Sequence, residues 1–64
     1  MTHRLPCLCC GARVIAERGA HEICPVCSWE DDPVQAKDPD FAGGANRLSL
    51  TQARAAWKRA GPPQ

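Results

Sequence analysis

The chain has 64 residues, a formal charge of +1 and few large apolar side chains. That is a single domain, 1–64, whose small core cannot offset the ordering of the chain with much to spare. The near-neutral balance supplies no general pull toward nucleic acid or anionic membrane, and no segment is long and apolar enough to span a bilayer.

Residues 1–6 read as a short polar lead with Leu5 as its one apolar anchor. Residues 7–11, Cys7-Leu-Cys-Cys10-Gly11, form a Cys-x-x-Cys turn with a small residue after the second cysteine. Residues 12–17 read as a short strand from Val14 and Ile15, and Arg18-Gly19 as a turn. Residues 20–23 read as the returning strand. A second Cys-x-x-Cys turn, Cys24-Pro-Val-Cys27-Ser28, follows at once. The expectation is a β-hairpin framed by two such turns, the arrangement called a zinc ribbon. A lone two-stranded hairpin is marginal in water, so a metal would act as its clamp.

Trp29 follows the second turn and should shield the sulfurs from water. Residues 29–46 read as the least regular part, an acidic loop punctuated by Pro33 and Pro39. Asp38 precedes Pro39 and should be extended. Gly43-Gly44 marks a sharp bend or a close approach of backbone, which Asn46 would cap or brace. Residues 50–60 read as a helix. Ser49 is a good N-cap with Gln52 three residues later, as a capping box requires, and Gly61-Pro62-Pro63 supplies the stop. Leu50, Ala53, Ala56, Trp57 and Ala60 share one side at ~100° per residue. That side should pack on the hairpin, with Trp57 as its main anchor. The fold class is thus a small metal-stabilised α+β domain.

Four thiolates in two Cys-x-x-Cys pairs suit one tetrahedral ion, most often Zn²⁺, at about 2.3 Å per sulfur. Cys7, Cys10, Cys24 and Cys27 are therefore the ligand set, and the metal-free chain should be largely unfolded. A disulfide framework is the competing reading. The odd number of cysteines and the start Met1-Thr-His-Arg, which lacks the apolar run of a secretory signal, favour metal and a reducing cytoplasm. Cys9 is surplus. It reads as a packed or half-exposed thiol, with a redox-reactive neighbour or an alternate ligand in place of Cys7 or Cys10 as the other option. His21, three residues before Cys24, should sit on the second strand with its ring toward solvent, although it could replace a cysteine. His3 reads as inert, or as a hydrogen-bond partner of a thiolate.

Glu30-Asp31-Asp32 reads as a solvated acidic patch, with a catalytic cluster or a cation site as alternatives. Asp38 and Asp40 resemble the start of a calcium loop only faintly, since Ala42 stands at the next ligand position. Arg47, Arg54, Lys58 and Arg59 read as a solvated basic flank favourable near a helix C-terminus, or as phosphate grips. Trp57 could stack on a base, but the helix needs it in the core.

Taken together, Cys7-Leu-Cys-Cys10-Gly11, Glu22-Ile-Cys-Pro-Val-Cys27, Trp29-Glu-Asp-Asp32, Asp38-Pro-Asp40, Gly43-Gly-Ala-Asn46 and Ser49-Leu-Thr-Gln-Ala-Arg54 resemble the bacterial cysteine-rich CPCC family. The resemblance runs from about residue 6 to residue 57. It implies zinc binding and carries no activity. One position departs from the family's motif: Leu8 stands where the family has proline, which loosens the turn and removes no ligand.

The function expected is that of a non-catalytic zinc-binding module with one structural Zn²⁺. A closed four-thiolate site leaves no position for substrate or activated water. Such a module would act through protein–protein contacts, as an adaptor or a small neutralising partner, with neither a membrane nor a small-molecule substrate. One alternative is a nucleic-acid-binding ribbon using Arg47, Arg54, Lys58 and Arg59, although such domains usually carry more positive charge. The second alternative is a rubredoxin-like iron protein, although only Trp29, Phe41 and Trp57 supply aromatic rings.

Overall fold

The computed structural model describes residues 3–60. Its elements are β1 (Leu5–Pro6), β2 (Arg13–Ile15), α1 (Pro33–Lys37) and α2 (Leu50–Ala60). The body is flat, with principal extents of 34 × 29 × 13 Å.

β1 and β2 pair antiparallel, with Leu5 opposite Ile15 and Pro6 opposite Arg13, and a register irregularity between Leu5 and Pro6. The first Cys turn is the loop of this hairpin. The second Cys turn closes its own miniature hairpin, marked by a single bridge between Ile23 and Glu30. This corrects the expected pairing of 12–17 with 20–23. Residues 20–23 form no strand, and the lead supplies the partner of β2 instead. Two side chains explain the difference. Glu22 accepts the N–H groups of Ala16 at 3.1 Å and Glu17 at 2.7 Å, where a strand partner would have bonded. Asp31 accepts the Gly19 N–H at 2.6 Å and Arg18 at 2.6 Å, which holds the 18–19 turn against the second Cys turn. Arg18 also donates to the Pro6 carbonyl and so ties β1 to the same point. Leu5 remains exposed and is no anchor.

The segment 29–46 is more ordered than its composition suggests. Asp32 caps α1, accepting the Val34 N–H at 2.8 Å, and Pro33 occupies the start of the helix. Proline suits this position because its missing N–H would be unpaired anyway. Asp31 and Asp32 are 1% and 5% exposed, so the expected solvated acidic patch is a pair of buried struts. The strut role of Asp32 extends to the Ala45 N–H at 2.9 Å.

The loop 39–48 has no regular structure and is held by Gln35, which is fully buried. Its Nε2 donates to the carbonyls of Phe41, Asn46 and Leu48 at 2.9, 3.1 and 3.0 Å. Its Oε1 accepts the backbone N–H of Asn46 at 3.0 Å and the Asn46 Nδ2 at 2.9 Å. Asn46 braces the loop as expected: its Oδ1 accepts the Glu30 N–H and its Nδ2 donates to the Glu30 carbonyl. Gly43 has φ +84°, and a side chain at Gly44 would come within 2.7 Å of Asp32 Oδ2. The bend and the close approach both occur.

α2 spans Leu50–Ala60 as the spacing predicts. The capping box is reciprocal: Gln52 N–H donates to Ser49 Oγ at 3.1 Å, and Ser49 N–H donates to Gln52 Oε1 at 2.9 Å. The helix anchors through its first turn and not through Trp57. Leu50 joins Cys7, Ile15, Cys24 and Trp29 in the buried cluster, whereas Trp57 is only half-buried. Further along, Arg54 Nε donates to the Leu8 carbonyl at 2.7 Å and pins the middle of α2 to the first Cys turn.

Candidate metal centre

The two Cys turns are copies of one another, displaced by 17 residues. In the first, Cys7 N–H donates to the Ala12 carbonyl at 2.7 Å and Gly11 N–H donates to the Cys7 carbonyl at 2.8 Å. In the second, Cys24 N–H donates to the Trp29 carbonyl at 2.9 Å and Ser28 N–H to the Cys24 carbonyl at 2.8 Å. Gly11 and Ser28 occupy equivalent places and both have positive φ, +85° and +70°. Glycine adopts that region freely, whereas serine is strained there. The backbone reversal after each second cysteine thus aims both sulfurs of a pair inward.

Those sulfurs meet. The Sγ atoms of Cys7, Cys10, Cys24 and Cys27 lie within 4.8 Å of one another. Across the pairs, Cys7 and Cys27 are 3.5 Å apart, and Cys10 and Cys24 3.7 Å. A tetrahedron with bonds of about 2.3 Å has edges of about 3.8 Å, so the cluster has the size a four-thiolate ion requires. Cys7 and Cys24 are buried, while Cys10 and Cys27 are half-buried on the open side.

With thiols free of metal, the cluster resists becoming anionic. Burial raises Cys27 strongly, only partly opposed by the Trp29 N–H, and the neighbouring sulfurs of Cys7, Cys10 and Cys24 raise it further. Burial likewise raises Cys10. Cys24 moves the other way. Burial opposes its ionisation, but N–H groups of Cys27 and Val26 and the thiols of Cys10 and Cys27 outweigh that and lower it. The Val26 N–H lies 3.4 Å from its sulfur. Ionisation is thus favoured at Cys24 and opposed at Cys10 and Cys27, an opposition that a divalent cation beside the sulfurs would offset.

The remaining candidates stand apart from this cluster. Cys9 is half-buried beside it, and burial raises its thiol, with Cys27 as its hydrogen-bonding neighbour. That is opposite to the lowered value a reactive cysteine shows. His21 has φ +60° in irregular backbone and not on a strand. Its ring is exposed and its Nδ1 lies 3.1 Å from Glu30 Oε2. His3 is exposed. Asp40 accepts the Thr51 hydroxyl at 3.0 Å and the Asp38 carboxylate accepts the Asp40 N–H, so both serve the start of α2.

The sequence profile of the cysteine-rich CPCC family matches residues 5–64. The chain belongs to that family. A comparison with curated proteins finds no match. Leu8, where this CPCC chain departs from the family's namesake motif, packs against the buried cluster. Its side chain therefore adds packing beside the first turn. The cluster of four sulfurs and the family together indicate metal binding. Among the described residues no helix is long and apolar enough to cross a membrane.

Sequence reasoning missed the residues that hold this centre in place. Arg18, Glu22, Gln35 and the buried Asp31 and Asp32 carry the contacts between the turns and the loop. Only Asp32-Pro33 had a recognisable signal, that of an N-cap followed by proline.

Proposed function

We propose that this chain is a non-catalytic zinc-binding module that works through protein–protein contacts, as a small adaptor or neutralising partner. The reading is carried by the closed set of four sulfurs at 3.5 to 4.8 Å. Four protein donors fill a tetrahedral ion, and catalytic zinc sites instead keep a position open. Zinc is favoured over iron because the ring-poor surroundings do not resemble the aromatic core of a rubredoxin. The ligands in this reading are Cys7, Cys10, Cys24 and Cys27. The two turns joined by one ion make a compact variant of the zinc-ribbon idea, in which each turn closes its own short hairpin.

Native mass spectrometry of the protein recovered from its own cells tests this directly. The expected mass is that of the chain plus one zinc less the two protons its charge replaces, with a retained protein partner. A metal-free mass carrying disulfides, or one iron in zinc-replete cells, would refute the metal assignment. Zinc-loaded protein that retains no partner yet binds DNA tightly, with affinity falling steeply as salt rises, would replace the partner reading with the nucleic-acid one.

A further inference from the structure

A groove of about 490 Å³ runs between α2 and the second Cys turn. Its apolar walls come from Trp29, Leu48, Ala53, Ala56, Trp57 and Ala60, and Arg47 stands among them. Trp57 is also a wall of a second depression, shared with Cys9, Arg54 and Lys58. The half-buried ring is therefore a ridge between two hollows and not a core anchor. The alanines at 53, 56 and 60 keep the wall low, so a partner can approach the helix closely.

The charge around this surface has one sign. Residues 41–64 contain Arg47, Arg54, Lys58 and Arg59 and no aspartate or glutamate. No carboxylate lines either hollow. Among the described residues the ion pairs are Arg18–Asp31 and His21–Glu30, so the basic groups of α2 and Arg47 have no carboxylate partner there. An apolar trough with an unopposed basic rim fits a ligand that is apolar in the middle and negative at its edges. A phosphate backbone would satisfy the rim but leave Leu48 and three alanines facing water.

We infer that this groove docks an acidic peptide segment of the partner protein, one carrying a large aliphatic or aromatic side chain that packs beside Trp57. The inference rests on the partner reading above and names the surface and chemistry of that contact. Arg47 and Lys58 set the charge preference, and the trough between Trp57 and Leu48 takes the apolar anchor.

The test is selection of a displayed library of random 16-residue peptides on the zinc-loaded full chain, followed by amide NMR mapping of the winners. Enriched peptides should be acidic with one or two large apolar residues, and should shift Arg47, Leu48, Ala56 and Trp57. Their affinity should fall by about tenfold or more for the double variant Arg47→Glu/Lys58→Glu, whose exposed side chains line the groove and the neighbouring hollow across Trp57. Ala56→Glu, placed on the groove wall, should weaken them while the four-cysteine signals stay unchanged. No enrichment, enrichment of basic or neutral peptides, or shifts confined to other faces would overturn the inference. So would concentration-dependent shifts of the same residues without peptide, which would give the groove to a second copy. The same shifts with an oligothymidine in place of any peptide would give it to nucleic acid. A natural partner captured equally well by wild type and Ala56→Glu would sink the groove assignment and leave the partner reading standing.

Discussion

Replacing Gln35 with leucine tests whether one buried amide holds the loop 39–48. The side chain is fully buried; its two Nε2 hydrogens are shared among the carbonyls of Phe41, Asn46 and Leu48, and its Oε1 accepts two hydrogen bonds from Asn46. Leucine keeps most of the volume and removes all of these bonds. Phe41 and Leu48 are exposed, so their carbonyls regain water at little cost. Asn46 is half-buried, and its backbone N–H loses its acceptor where water reaches it poorly. Two net bonds at about 1 kcal/mol each plus one unsatisfied donor at about 1–3 kcal/mol give a loss of about 3–5 kcal/mol. A chain of this size has roughly 3–10 kcal/mol in total, so the change removes a large fraction. Urea unfolding of the zinc-loaded proteins at a fixed zinc concentration measures the loss. Hydrogen exchange locates it, since the Asn46 amide should be protected in the wild type and exchange freely in the variant. A loss under about 0.5 kcal/mol with Asn46 protection unchanged would show that the loop is held by something else.

Four further outcomes follow from the same geometry. Cys24→Ala should abolish one-to-one zinc binding, whereas Cys9→Ala should leave the stoichiometry at one ion, both read by native mass spectrometry. Ser28→Gly should relieve left-handed strain of about 1–2 kcal/mol, less about 0.4–1 kcal/mol for the freer unfolded chain; a raised urea midpoint is the expected result, and a lowered one would contradict the positive φ. Gly44→Ala should destabilise by about 1–3 kcal/mol because the new methyl meets Asp32 Oδ2 and the Gln35 side chain, a clash that thermal unfolding would register. Asp32 is held below the usual carboxylate range by the N–H groups of Ala45 and Val34, against a smaller opposing effect of burial. Its contribution is therefore complete above the unfolded value near pH 4 and is lost as pH falls through the lowered folded value; the stability difference between wild type and Asp32→Asn, which cancels any shared loss of metal, should shrink over that range.

How much of this was legible beforehand differs by element. The start of helix 50–60 carried its own instructions, because a capping box acts within a few residues; the expected stop at 61–63 lies outside the described residues. The four sulfurs were legible for the same reason, since each pair is set by one tight turn. The strand pairing was not. Val14 and Ile15 announced a strand, but nothing in the local pattern says whether its partner lies before or after it. That choice is made by Glu22 and Arg18, whose side chains capture backbone groups five or more residues away. The acidic stretch 30–32 was misread because burial of a carboxylate depends on donors from Gly19 and Ala45, distant in sequence. Trp57 was misplaced because periodicity gives the face of a helix and not which end of that face meets the core.

The duplicated turn has a consequence for how an ion enters and leaves. Each claw is closed by its own hydrogen bonds, spanning no more than five residues. Capture and surrender of a bound ion then divide into two half-steps, with the ion clinging to one sulfur pair while the other is open. A chelator that can seize an ion only when two sulfurs have let go would act on such a half-open form, so its rate of stripping would report how often one claw relaxes.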